Sequence, residues 1–141
     1  MKGILIIIAV FVLFTVNIFA QSTNFQIVVN KDNSVNSLSK DEIKRIYTKK
    51  MTKWDNGDKI KPVDLQKTSE VRKKFTKDIL NKSISAIKAF WQRQIFSGKG
   101  VPPPEKKSDE DVIDYVINHP GAIGYVSENA DISSVKKVTV K

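Results

Sequence analysis

The chain has 141 residues, with 24 lysines and arginines against 15 aspartates and glutamates, a single histidine and no cysteine. Without cysteine it has no disulfide, no thiolate metal site and no thiol to carry a lipid. The net charge of +9 favours anionic partners, although the cations do not gather in one arm and suit an ordinary solvated surface.

The N-terminus reads as a secretory signal: Lys2 is the basic start, Ile4 to Val16 an apolar run, and Ala20 a small residue before Gln21. Cleavage after Ala20 is expected. The alternative is a retained anchor, but the run is short for a span and no basic cluster follows it directly. Residues 21–141 then form one domain with one core, expected to be periplasmic or secreted and to have no stable membrane anchor.

Phe25 to Val29 reads as a buried strand closed by the polar run Asn30 to Ser34. Ser39 and Glu42 have the spacing of a capping box, with Leu38 and Ile43 as a hydrophobic staple and Ile43, Ile46 and Tyr47 on the core face of the helix. Asp55-Asn56-Gly57-Asp58 predicts a turn after Trp54, and Ile60 to Leu65 one extended strand with Pro62 at an edge or strand start. Val71, Phe75 and Ile79 predict an amphipathic helix from Ser69, with Arg72, Lys73, Lys74 and Lys77 off the apolar face.

After a break at Asn81-Lys82, Ser83 caps a helix whose apolar face is Ile84, Ile87, Phe90, Trp91 and Ile95. Ser97-Gly98-Lys99-Gly100 and Pro102-Pro103-Pro104 form a loop across the surface of the same domain. Ser108 caps the last helix, with Asp109, Glu110 and Asp111 in its first turn and Val112, Ile113, Val116 and Ile117 as its stripe. Asn118 to Gly121 stops it, and strands follow at Ala122 to Val126 and Val135 to Val140. Alternation of strands and helices predicts an α/β fold with a mixed or mainly parallel sheet flanked by helices; it does not set the strand order.

Several runs resemble the substrate-binding proteins of phosphate ABC transporters, which have the type II periplasmic-binding-protein fold, and more closely their short members. These runs are Ile27 to Asn30, Ser37-Leu38-Ser39 with Ile46, Trp54 with Gly57, Ile60 with Pro62, Phe75, Phe96 to Gly100, and Gly121 to Val126. The resemblance covers nearly the whole of residues 21–141 and implies a single lobe of a two-lobed, exported solute receptor. It implies no enzyme activity and no cofactor. Phosphate or another oxyanion is the implied ligand, and a transporter or envelope protein the implied partner.

The family's phosphate cradle, an Arg four residues before a Ser-Gly-Thr run that opens a helix, aligns here with Leu65 and Ser69-Glu70-Val71. Helix amides, hydroxyls and a guanidinium suit an oxyanion. The candidate anion-binding residues are therefore Lys67, Thr68, Ser69 and Arg72, with Ser69 also readable as an ordinary N-cap and Glu70 as a carboxylate that opposes a bound anion. The Ser97 to Gly100 loop and His119 are weaker candidates, each explained by a helix end. Gly121 and Gly124 read as sites of tight backbone geometry.

No nucleophile elbow, zinc helix, Walker loop or paired-carboxylate pattern is present. Three functions remain open: an oxyanion-binding module acting weakly or with a partner, an envelope interaction module that keeps the fold but not the site, and adhesion to polyanions by net charge. Nucleic acid is not expected, since no basic stripe with interleaved aromatics appears.

Overall fold

The computed structural model describes residues 24–141, and the expected export signal lies outside them. Within this range, chain order runs β1 (Phe25–Val29), β2 (Ser37–Leu38), α1 (Lys40–Tyr47), β3 (Lys61–Pro62), β4 (Asp64–Leu65), α2 (Glu70–Leu80), α3 (Ile84–Phe96), β5 (Glu105–Lys106), α4 (Asp109–Asn118), β6 (Ala122–Ser127) and β7 (Lys136–Val140). The sheet is mixed, in the order β2-β7-β1-β6-β3. β1 is antiparallel to both β6 and β7, whereas β2 with β7 and β3 with β6 are parallel.

Local chemistry sets the helix starts. The Ser39 hydroxyl accepts from the Glu42 amide at 3.1 Å while Glu42 Oε2 accepts from the Ser39 amide at 2.7 Å, closing the expected capping box. Ser69, Ser83 and Ser108 each accept the amide three residues on, satisfying a donor that the first turn leaves unpaired. At the other end of α2, Asn81 takes the left-handed conformation, φ 53°, and this breaks α2 from α3.

Helices cover both faces of the sheet, because successive β6 side chains point to opposite sides. On one side the Tyr125 ring stacks on Phe75 of α2 at 3.8 Å, and Tyr47 of α1 meets Phe75 edge-on at 4.9 Å. On the other, Gly124 faces α4 so closely that a Cβ there would lie 2.7 Å from Val112 Cγ1 and 2.9 Å from Val63 Cγ1. A Cβ at Gly121 would meet the Lys59 carbonyl oxygen at 2.1 Å. Both glycines thus admit neighbours that any side chain would displace, in line with the tight geometry expected of them.

Three expectations need correction. The strand predicted over Ile60 to Leu65 is two, because the Val63 amide donates to Ile123 O of β6 at 2.9 Å while the Asp64 amide turns to Pro104 O at 2.9 Å. β4 therefore pairs in parallel with β5, a short strand that the proline-rich loop concealed. Next, the buried stripe of α2 is Arg72, Phe75, Thr76, Ile79 and Leu80, which puts Arg72 on the core face and leaves Val71 only partly buried. These positions follow i, i+3, i+4, i+7, i+8, the true helical face, and a reading of every fourth residue drifts off it. Last, only Ile87 and Trp91 of the expected α3 face are buried, and Ile95 is 53% exposed, as the final turn runs past the core. In α4, similarly, Val112 and Val116 are buried, Ile113 is partly so and Ile117 is exposed.

Candidate functional site

The amino ends of α2 and α4 come together beside the end of β6 and bound an open cleft of about 540 Å³. Ser69 and Glu70 of α2, Lys107, Asp109 and Glu110 around the start of α4, and Ser127 of β6 are among its lining residues. Each helix end directs unpaired amides and the positive end of its dipole toward this space. Carboxylates oppose that charge: Glu70 stands in the first turn of α2, and Asp109, Glu110 and Asp111 in that of α4. Asp109 is already engaged, accepting the Ser127 hydroxyl at 2.7 Å and its amide at 3.2 Å, and Glu70 pairs with Lys73 at 2.8 Å.

Of the four residues expected to hold an anion, only Ser69 lines this cleft. Lys67 and Thr68 are exposed in the turn just before α2, with that turn closed by the Ser69 amide donating to Gln66 O at 3.0 Å. Arg72 does not join them. Its side chain runs back beneath the turn, where Nη1 donates to Leu65 O at 2.9 Å and to Glu105 Oε1 at 2.8 Å. Its Nε lies 3.4 Å from Asp64 Oδ1, an ion pair without hydrogen-bond alignment.

Arg72 is 4% exposed and Asp64 7%. Charges this deep persist only when paired, and the two carboxylates that face Arg72 come one from each strand of the small β4-β5 sheet. The Tyr125 hydroxyl donates to Asp64 Oδ1 and accepts from the Leu65 amide at 3.3 Å, so β6 joins the same network. Tyr47 donates beside it to Val63 O at 2.8 Å.

Burial pushes the Asp64 carboxyl up to about 6, with Arg72 and the Tyr125 hydroxyl pulling against it. Burial likewise lifts both tyrosines well above the usual phenol range, with the Asp64 charge adding to it, so both remain hydrogen-bond donors at neutral pH. For Arg72, its own burial is outweighed by the attraction of Asp64 and Glu105, and its affinity for its proton rises. The guanidinium therefore stays charged and neutralised in place.

This network escaped the sequence reading. The signal for it was Asp64 itself, a carboxylate between Val63 and Leu65 in an extended run, a position that calls for a polar or cationic partner if it is buried. The weaker candidates have structural tasks: Ser97 Oγ donates to Arg93 O at 2.8 Å at the end of α3, while His119 stacks on Tyr115 at 4.0 Å with Nδ1 2.7 Å from Tyr115 O. Among the described residues, no group of three or more His, Cys, Asp or Glu is placed to hold a metal ion.

Solved structures place this fold. A phosphate transport receptor of the ABC type from Vibrio cholerae superposes with a TM-score of 0.65 at 21% identity, over 84% of this chain and 48% of the receptor. A putative phosphate ABC transporter substrate-binding protein from Clostridium perfringens, solved with bound phosphate, gives 0.65 at 25% identity over 82% and 44%. PstS from Borrelia burgdorferi gives 0.65 at 13% identity over 86% and 47%. The chain thus spans under half the length of each of these receptors. Curated proteins yield no match. The model of the PBP superfamily domain matches residues 21–140, almost the whole chain, and with the fold it establishes that this chain belongs to the periplasmic-binding-protein superfamily.

Proposed function

We propose that this chain is an exported, non-catalytic solute-binding lobe that contacts phosphate or another oxyanion weakly, as half of a site completed by a transporter or envelope protein. The observation that carries this reading is the open cleft at the amino ends of α2 and α4. The exposed Lys67-Thr68 turn and the Ser69 hydroxyl offer cation, hydroxyl and amide donors at its α2 rim. Arg72 acts from below, holding the Leu65 carbonyl and so the turn. Glu70, Asp109 and Glu110 weaken anion binding by the isolated lobe, which is why a second surface is part of the proposal. Export rests on the apolar segment Ile4 to Val16 followed by Ala20.

A phosphate titration of the protein from Gln21 onward, followed by backbone amide shifts, tests this. Saturable changes confined to Lys67 to Val71 and Ser108 to Glu110, in the millimolar range and weakened by Ser69→Ala, are expected. Absence of any such change would favour the other reading, an envelope interaction module that keeps the fold and not the site. The Asp64–Arg72–Glu105 network favours that reading, since the buried cation already has its carboxylates.

A further inference from the structure

The 15 carboxylates are unevenly distributed: none lies between Asp78 and Glu105, the longest such gap among the described residues. That gap contains α3 and the glycine- and proline-rich loop after it, and carries Lys82, Lys88, Arg93 and Lys99. It also carries three of the exposed large apolar side chains, Ile95 at 53%, Phe96 at 96% and Val101 at 62%. Arg93 and Phe96 share one patch of the α3 surface with Ala89 and Gln92. At the other end of α3, about 20 Å away along the helix, a depression of about 870 Å³ is lined by Lys40, Lys73, Lys77 and Lys82 together with Asp78, with Lys73 paired to Glu70 and Asp78 to Lys74.

We propose that α3 and its following loop form a reversible docking surface for an anionic lipid bilayer. The apolar groups stand out singly at the tip of a helix and on the adjoining loop, a shape suited to insertion among acyl chains; a protein partner would have to supply a pocket for each. Phe is large enough to gain substantially from leaving water, and lysine and arginine stems can lie along the interface with their charges at the headgroups. Cations next to anionic headgroups add to the binding, and the segment itself carries no carboxylate to offset them. No helix among the described residues is long and apolar enough to cross a membrane, so the contact proposed is interfacial. It is independent of the phosphate cleft, which lies at α2 and α4.

Flotation of the protein from Gln21 onward with vesicles of phosphatidylcholine, alone or with phosphatidylglycerol, tests the proposal. Binding is expected only with the anionic lipid, and it should fall as salt rises. Phe96→Asp should weaken partition about tenfold or more, and Arg93→Gln and Lys99→Gln about fivefold each. Because these side chains are exposed, the variants should melt with the parent. No binding to anionic vesicles would overturn the proposal, as would binding that Phe96→Asp leaves unchanged. Capture by soluble polyglutamate without capture by vesicles would also overturn it, and would indicate an acidic protein partner.

Discussion

Arg72 and the cations of α3 carry the same charge in opposite settings. Arg72 sits under a turn with Asp64 and Glu105 within 3.4 Å and 2.8 Å. Lys88 and Arg93 stand exposed on a helix with no carboxylate for several turns in either direction along the chain. What makes a cation available to a ligand is therefore the placement of carboxylates around it. A count of lysines and arginines misses this, because it takes no account of where the acids fall, and none falls between Asp78 and Glu105.

The sharpest way to break the comparison is Arg72→Met, which strips Asp64 of its cation and Leu65 O of a donor. A loss of roughly 3–5 kcal/mol in urea unfolding, followed by the fluorescence of Trp54 and Trp91, is expected. A loss below about 1 kcal/mol, the range of exposed pairs, would mean that Arg72 is not held as described.

A somewhat smaller effect tests the same network through pH. With Asp64 raised from 3.8 to about 6, the folded protein keeps a proton that the unfolded chain releases. Its contribution to stability is complete below about 3.8 and lost as pH rises through about 6, a change on the order of 3 kcal/mol. The stability of the parent relative to Asp64→Asn should therefore fall across that window; a flat difference would place Asp64 in water. At the small end, Lys88→Gln and Arg93→Gln should shift stability by less than about 0.5 kcal/mol in either direction, since neither forms an ion pair among the described residues. A larger change in either would show that α3 uses its cations for folding and would count against a docking face.

The difference between the two regions also explains what could be read along the chain. Ser39 and Glu42 were legible because both halves of the capping box lie within one helical turn. The Ser69, Ser83 and Ser108 caps were legible for the same reason. Arg72 was not, because its partner Glu105 is 33 positions away and belongs to a strand that has no apolar pattern to announce it. Ser69, expected as an N-cap, opens α2 and lines the cleft, but the cleft takes its other wall from Asp109, Glu110 and Ser127, distant residues brought beside it by the crossing from β5 through α4 to β6.

The sequence by itself determined the order of helices and most strands, the four serine caps, the turn at Gly57 and the family resemblance. All depend on periodicity and on hydrogen bonds between near neighbours, whose energies act within a few residues. The tertiary structure alone decided the strand order β2-β7-β1-β6-β3, the division of Ile60 to Leu65 between two sheets, the inward turn of Arg72 and the exposure of Phe96. Those depend on which distant segment removes water from a group or supplies its partner, and desolvation is a property of the assembled neighbourhood, not of the local chain.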